Sequence, residues 1–142
     1  MQHAVEKLYE RYERAMNTGL EGEADLEALF QCFADKFIAA TLTGLGTGAQ
    51  GDGMRQEAMA NFERYNRTGR RHMAIESLRF QPIDTLHGIA FVDWLTTYEI
   101  EGETRKFPFS YAYLIRVQDG EAFIFGVIGD QQAALRKYGI EG

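Results

Sequence analysis

The hydrophobic period changes partway along the chain, and this change constrains the fold more than any other sequence feature. Before Arg71 most apolar residues recur at intervals of three and four, whereas beyond it they alternate at intervals of two. These intervals are typical of helices and of strands, respectively. Four strand-like segments follow: RHMAIESLRFQPI, GIAFVDWLTTYEIEG, RKFPFSYAYLIRVQDG and EAFIFGVIGD. The breaks between them are too short for parallel crossovers, which predicts antiparallel neighbours.

Helices are predicted on both sides of this meander. The predicted order is a helix that stops at Asn17-Thr18-Gly19, a short helix capped by Asp25, a strand at 36–43, a helix from Met54 to about Thr68, the four strands, and a last helix from Gln131 to Tyr138. The 142 residues contain no repeat or linker and suit one hydrophobic core. We therefore expect one domain, 1–142.

A glycine-rich segment, TLTGLGTGAQGDG, contains the spacing G-x-G-x-x-G at Gly46, Gly48 and Gly51. This spacing cradles phosphates where it joins a strand to a helix in a parallel β-α-β unit. Here the strands that follow are predicted to be antiparallel, and Glu76 lies too far along to serve as the acidic partner of that motif. We expect no nucleotide and no other cofactor, and we interpret the segment as a mobile loop over the site.

Composition and charge exclude several classes of partner. A net charge of −6 disfavours nucleic acid and anionic membranes, because both require a basic face. Apolar residues make up 45% of the chain, but no apolar run approaches the length of a membrane span. The amphipathic N-terminus has no apolar signal segment, and Cys32 is the only cysteine. We therefore expect a cytoplasmic protein that binds neither nucleic acid nor a membrane.

Residues 11–44 form a characteristic series of elements near the start of the chain, RYERAMNTGLEGEADLEALFQCFADKFIAATLTG. They combine a helix with an Asn-x-Gly stop, an Asp-Leu-x-x-Leu helix, a Phe-Ala-Asp turn and a strand. Together with the meander, this order resembles the nuclear transport factor 2-like (NTF2-like) superfamily, which includes the SnoaL-like and ketosteroid isomerase-like proteins. The resemblance implies an α+β, cystatin-like cone, in which helices pack on the concave face of a bent, mostly antiparallel sheet.

The ketosteroid isomerases of that superfamily imply positions for a site. Tyr12 falls where those enzymes keep an oxyanion-hole tyrosine, their general-base aspartate falls at Thr41, and their protonated aspartate falls at Ser110. Because two of the three groups are replaced, we do not expect steroid isomerisation by that mechanism. Tyr12 has two interpretations: it donates a hydrogen bond to a ligand carbonyl, or it packs in the core with its hydroxyl bonded to the backbone.

The same overlay implies an inner wall that faces the helices, apolar with a few hydroxyls. Trp94 has two interpretations there, as a broad wall for a ligand or as plain core packing. The candidate ligand-binding residues are Tyr12, Thr41, Trp94, Thr96, Ser110, Ala112, Leu114, Ile124 and Ile128, with Val92 and Gly126 beside them.

His72 is, with Tyr12, a candidate catalytic residue. It begins the strand after the third helix, where a histidine at a pocket mouth can shuttle protons, although a solvated turn is the alternative interpretation. The parity of this strand stays open, because either His72 or Met73 can face inward. The other histidines lack partners at ligand spacing, so no metal site is expected.

The opposite face of the sheet is predicted to be apolar as well. It carries Phe91, Leu95, Phe109, Tyr111, Tyr113, Phe123, Phe125 and Val127 around Asp93. An exposed patch of this size is unusual in a monomer. A second copy is expected to cover it and form a homodimer, in which Asp93 would meet an arginine across the interface.

These observations predict a pocket for a small, mostly apolar molecule with a carbonyl or hydroxyl group. Two classes of function stay open. One is an isomerase, cyclase, hydratase or dehydratase that acts by proton transfer, as the resemblance suggests. The other is a non-catalytic ligand-binding or dimerisation module. No general base is evident in the sequence, so enzyme activity is left open.

Overall fold

The computed structural model describes residues 1–140 and consists of helices on one six-stranded sheet. The elements are α1 (Gln2–Leu20), α2 (Leu26–Phe30), β1 (Phe33–Ala40), β2 (Leu45–Ala49), α3 (Asp52–Thr68), β3 (Arg70–Pro82), β4 (His87–Ile100), β5 (Glu103–Gln118), β6 (Glu121–Ile128) and α4 (Gln131–Arg136). The strand order is β2-β1-β6-β5-β4-β3, with β1 and β6 parallel and all other neighbours antiparallel. The predicted α+β class with a bent, mostly antiparallel sheet is confirmed.

Two-residue turns set the register of the long strands. Glu101-Gly102 joins β4 to β5 and Asp119-Gly120 joins β5 to β6, and all four residues have positive φ. Such turns twist in the same sense as the strands they connect. The first turn aligns Ile100 with Glu103 and therefore Trp94 with Phe109. Directly opposite residues share a face, so even-numbered residues of β4 lie beside odd-numbered residues of β5.

A register shift between β5 and β6 changes which residues face inward. Ile115 lies opposite Ile124, and both are fully buried, but the next pair is Leu114 with Gly126. Phe125 is the extra residue of this bulge. Bulges bend the strand that carries them, and two further shifts, between β3 and β4, add to the curvature of the sheet.

Helix α1 lies along the edge strand β3 and supplies its missing hydrogen-bond partners. The Asn17 side chain accepts from the Met73 amide at 2.8 Å and donates to the Met73 carbonyl at 2.7 Å. Glu13 accepts from the Ile75 amide at 2.6 Å. The predicted helix stop is therefore misplaced: α1 continues to Leu20, and Asn17 pairs with the sheet.

The middle of the glycine-rich segment, Leu45–Ala49, is a strand, which corrects its interpretation as a mobile loop. β2 pairs with β1, so that Gly46 lies opposite Ala39 and Gly48 opposite Phe37. β1 also begins and ends earlier than the predicted strand at 36–43. Because backbone groups of Gly46 and Gly48 lie in a ladder between strands, they do not form a phosphate-binding turn before α3.

The hydrophobic core lies between α1 and the sheet face that carries Trp94. Val5, Leu8, Trp94 and Ile115 are at most 1% exposed there. A smaller cluster joins α4 to the far ends of β4 and β5. The helices thus cover one face of the sheet, and a cavity remains between them. None of the helices in residues 1–140 is long and apolar enough to span a membrane.

Candidate functional site

A cavity of about 220 Å³ lies between α1, α2, α3 and the inner face of the sheet. Most of its wall is aromatic or aliphatic, and Glu57, Asn61 and Gln131 add polar groups. The wall consists of Tyr12, Met16, Leu29, Phe30, Phe33, Phe37, Met54, Glu57, Ala58, Asn61, Phe62, Tyr65, Met73, Trp94, Phe109, Tyr111, Tyr113 and Gln131.

Tyr12 projects from the apolar stripe of α1 into a cage of rings. Its ring centroid lies 5.9 Å from that of Trp94, 6.1 Å from that of Tyr113 and 5.8 Å from that of Phe33, with interplanar angles of 83–89°. These are edge-to-face contacts, in which the positive edge of one ring meets the negative face of another. The cage holds the Tyr12 ring in one orientation, so its hydroxyl has a defined position.

A hydrogen-bonded pair, Trp94 and Tyr113, lies beside Tyr12. The indole Nε1 of Trp94 donates to the Tyr113 hydroxyl at 2.9 Å, and the Tyr113 ring centroid lies 6.1 Å from that of Tyr12. Burial raises the pKa of Tyr12 far above its ordinary value, and the neighbouring hydroxyls of Tyr65 and Tyr111 add to this effect. Tyr12 is therefore neutral, and its hydroxyl can serve as a hydrogen-bond donor.

Gln131 positions two further hydroxyls. Its side-chain Nε2 donates to the Tyr65 hydroxyl at 3.1 Å, and its backbone N–H donates to the Tyr111 hydroxyl at 3.3 Å. Gln131 is the first residue of α4, whose N-terminus is capped by Asp130 through a bond from the Ala133 amide. Burial also raises the pKa of Tyr111. The cap thus fixes the residue that orients Tyr65 and Tyr111.

Among the residues predicted to bind a ligand, Tyr12 and Trp94 line the cavity. Thr96 is fully buried, and its hydroxyl donates to the Phe107 carbonyl at 2.8 Å. Ile124 lies in the core. Thr41 lies in the exposed turn after β1, next to the Thr43 hydroxyl. None of these last three residues contributes to the cavity wall.

The face predicted for β5 is wrong. Ser110 was expected inside, but its hydroxyl donates to Asp93 at 2.5 Å on the face opposite the helices. Strand pairing places Ala112, Leu114 and Ile128 on that outer face as well. The residues that take their place on the wall are Phe109, Tyr111 and Tyr113, and Val127 shares their face beside Tyr113. The reason is the register set by Glu101-Gly102, which a four-residue break EGET leaves undetermined.

The position of Met73 decides which face of β3 points toward the cavity. This residue is 4% exposed and lines the cavity, whereas His72 is exposed on the opposite side of the strand. His72 therefore does not reach the cavity, and the position proposed for it at the pocket mouth is wrong. Ile75 packs against the core together with Met73.

The sequence-based expectation missed the polar side of α3 and Gln131. Glu57, Asn61 and Tyr65 follow one another at intervals of four, which places them on one stripe of the helix beside Ala58 and Phe62. That spacing was readable, whereas nothing local marks Gln131. Within residues 1–140 no three His, Cys, Asp or Glu side chains cluster in a way that could hold a metal ion.

No protein-family model and no curated protein sequence matches the chain. Solved structures do match it. An NTF2-like protein with a cystatin-like fold from Novosphingobium aromaticivorans has a TM-score of 0.69 at 14% identity, over 96% of this chain and 86% of that one. The fold is that of the NTF2-like proteins. The fold implied by the sequence resemblance is thereby confirmed.

Other NTF2-like structures are similar over most of their length. A protein of unknown function from Shewanella oneidensis has a TM-score of 0.61 at 14% identity, over 91% of this chain and 98% of that one. A ketosteroid isomerase-like protein from Erwinia carotovora atroseptica has a TM-score of 0.61 at 14% identity, over 89% of this chain and 92% of that one. At this identity the likeness establishes the NTF2-like fold and carries no activity with it.

Proposed function

We propose that this NTF2-like protein binds a compact, mostly apolar small molecule through a carbonyl or hydroxyl oxygen. The observation that carries the proposal is the grouping of Tyr12, Tyr65 and Tyr111, with their hydroxyls, on the wall of a mostly apolar cavity. Ligand sites typically combine an apolar wall with a few placed polar groups. Tyr12 and Trp94 are the ligand contacts we propose first, the former as a donor and the latter as a wall.

The size of the cavity supports a small occupant. Its 220 Å³ holds about seven waters at about 30 Å³ each. This is below the range of about 300–1,000 Å³ usual for drug-sized ligands. A molecule with one or two rings fits such a volume, and burial of its apolar surface against Trp94 and Phe109 supplies affinity.

Catalysis by proton transfer is the second candidate function, and Glu57 is the observation that favours it. It is the only carboxylate on the cavity wall formed by residues 1–140, and a carboxylate can serve as a general base. Glu57 is exposed on α3, so its charge stays solvated. Glu57→Gln should abolish any proton-transfer activity and leave ligand binding intact, whereas loss of binding would assign Glu57 to the binding site.

We also propose that the protein forms a homodimer through the outer face of the sheet. Phe91, Leu95, Leu114 and Ile128 share the face of Asp93, and Ile128 is 45% exposed. The predicted patch is smaller than expected, because Phe109, Tyr111, Tyr113 and Val127 face inward. Asp93 needs no arginine from a partner, since Ser77 and Ser110 bond its carboxylate.

The pocket proposal is tested with Trp94, the only tryptophan of the chain, as a fluorescent reporter. Titration of the full chain with cyclohexanone and cyclohexanol should give a saturable change in tryptophan emission. Ala58→Phe, which fills the cavity from α3, should abolish this change. Ala60→Phe, on the exposed side of the same helix, is the matched control and should preserve it. Saturation that survives Ala58→Phe, or none in the unmodified chain, would overturn the proposal.

A further inference from the structure

A buried arginine lies directly behind the cavity wall. Arg70, the first residue of β3, is 0% exposed. Its Nε donates to the Tyr98 hydroxyl at 2.9 Å, and one terminal nitrogen donates to Gln131 Oε1 at 2.7 Å. The other terminal nitrogen of Arg70 lies 3.7 Å from the Met73 sulfur, and the guanidinium carbon lies 4.0 Å from the centre of the Tyr65 ring. Met73, Tyr65 and Gln131 all line the cavity.

Within residues 1–140 this arginine has only neutral partners. No carboxylate of residues 1–140 forms an ion pair with Arg70, although the neighbouring Arg71, on the surface, pairs with Glu99. An arginine cannot discharge by losing a proton, so the folded chain keeps a positive charge out of water. Burying an ion without a counter-ion is costly, and hydrogen bonds and aromatic faces offset only part of that cost. The charge therefore favours an anion on the other side of the wall.

Gln131 connects that charge to the cavity. Its Oε1 accepts from Arg70, its Nε2 donates to the Tyr65 hydroxyl and its backbone N–H donates to the Tyr111 hydroxyl. Both hydroxyl oxygens thus act as acceptors toward the protein. Within residues 1–140 neither hydroxyl has an acceptor for its own proton. Both protons are free to be donated to a ligand, and the Arg70 charge polarises the chain that leads to them.

We propose that the ligand of this cavity is a compact monocarboxylate, whose carboxylate accepts from Tyr65 and Tyr111 and whose charge is balanced by Arg70 through Gln131. This inference rests on the proposed pocket function and specifies the polar group of the ligand. Glu57, the carboxylate on the wall, is exposed and solvated, so solvent screens its repulsion of the ligand. Hydrogen bonds to a charged acceptor are stronger than those to a neutral one, which makes the carboxylate preferable to an amide of the same shape.

The test compares cyclohexanecarboxylate with cyclohexanecarboxamide, followed by Trp94 fluorescence of the full chain at neutral pH. The two molecules have the same shape and differ in charge. We expect the carboxylate to bind about tenfold more tightly than the amide. In Arg70→Met this preference should disappear while the affinity for the amide changes less than about twofold. Arg71→Met, which removes the exposed neighbouring charge, is the matched control and should keep the preference.

A second variant covers the case in which Arg70→Met does not fold. Tyr111→Phe keeps the ring and the arginine and should reduce the preference for the carboxylate severalfold. Equal binding of amide and carboxylate by the unmodified chain would overturn the inference and leave the pocket proposal standing. Absence of binding by both molecules would overturn the inference and, if cyclohexanone also fails to bind, the pocket proposal with it. A preference that persists in both Arg70→Met and Tyr111→Phe would assign the recognition to other residues.

Discussion

Tyr12 contributes its ring to the aromatic wall of the cavity and its hydroxyl to the polar groups of the site. Its ring is held edge-on by Trp94, Tyr113 and Phe33, and the indole of Trp94 donates to the hydroxyl of the neighbouring Tyr113. Burial keeps the pKa of Tyr12 far above its ordinary value, so the hydroxyl keeps its proton at neutral pH. Under the proposed function, such a neutral donor in a mostly apolar cavity would favour ligands with an acceptor oxygen.

Removal of this single hydroxyl should affect binding and not folding. Tyr12→Phe is expected to weaken cyclohexanone binding by about 0.5–1.5 kcal/mol, which is a factor of about 2–12. The melting temperature should change little, because the ring and its edge-to-face contacts remain. Fluorescence titration and thermal unfolding measure the two effects. Tyr138→Phe, at an exposed tyrosine outside the cavity, is the control. Unchanged affinity in Tyr12→Phe would favour the alternative interpretation, a tyrosine that only packs.

Gly19 permits the close approach of α1 and α3. A Cβ at this position would collide with the ring of Phe62, and Phe62 lines the cavity. Gly19→Ala should therefore lower the free energy of unfolding by about 1–3 kcal/mol through overpacking. Gly53→Ala is the matched control: the site is open and lies in the first turn of α3, so alanine should stabilise by about 0.4–1 kcal/mol. Urea denaturation measures the free energy of unfolding of both variants. Equal changes in the two variants would contradict the predicted clash between a side chain at position 19 and Phe62.

At the scale of elements, two short turns determine which residues form the site. Glu101-Gly102 aligns β4 with β5, and this alignment brings Phe109, Tyr111 and Tyr113 beside Trp94. The bulge at Phe125 then changes which residues of β6 share a face with the residues of β5. Because side chains alternate with a period of two, a shift of one residue exchanges the two faces of a strand. The cavity wall therefore depends on turn geometry as much as on composition.

Asp93 ties three strands together on the outer face. Its carboxylate accepts from Ser110 on β5 at 2.5 Å and from Ser77 on β3 at 2.6 Å. These hydrogen bonds, with a smaller contribution from Arg79, hold the pKa of Asp93 below its ordinary value. A lowered folded-state pKa means that the carboxylate stabilises the fold above the unfolded pKa and loses this effect as pH falls through the folded one.

A pH series should reveal this contribution of Asp93. At neutral pH Asp93→Asn should be less stable than the unmodified chain, and the difference should shrink between about pH 4 and more acidic values as the carboxylate protonates. Urea denaturation at several pH values measures the difference. Glu10→Gln, at an exposed position in the middle of α1 and away from the outer face, is the control. A difference independent of pH would contradict the assignment.

At the scale of the whole molecule, the helices cover one face of the sheet and leave the other open. The open face combines the apolar Phe91, Leu95 and Leu114 with the bonded Asp93 carboxylate. Such a mixed surface is typical of interfaces between protein chains. A copy of the same chain related by a two-fold axis would place this surface against itself.

The proposed dimer has a direct test. Light scattering at micromolar concentration should give a particle of twice the 16.1 kDa chain mass. Ile128→Glu should shift the mass toward the monomer, because it buries an unpaired charge in the interface. Leu42→Glu, at an 83% exposed position in the turn after β1, should leave the mass unchanged. A monomer in the unmodified chain would contradict the proposal. Tyr113 is unsuitable for this test, because it is 2% exposed in the core.

The sequence by itself determined the class of fold and several of its boundaries. The change of period at Arg71 separates helices from meander, and the apolar stripe that carries Tyr12 predicts α1. Asp25 caps α2 as expected, and α3 ends at Thr68 as expected. These are local features, since period and caps are encoded within a few residues of each other. The domain limits, 1–142, and the cytoplasmic location stay predictions.

Only the tertiary structure decided what surrounds the cavity. The inward facing of Tyr111 follows from strand register, which depends on hydrogen bonds between strands and on a bulge. The partners of Arg70 come from β4 and α4, at Tyr98 and Gln131, which are distant from it in the sequence. The alternation of side chains along a strand indicates that its two faces differ, but it does not indicate which face the helices cover. That choice is made by packing, because the arrangement that buries the larger apolar area and satisfies its polar groups is the stable one.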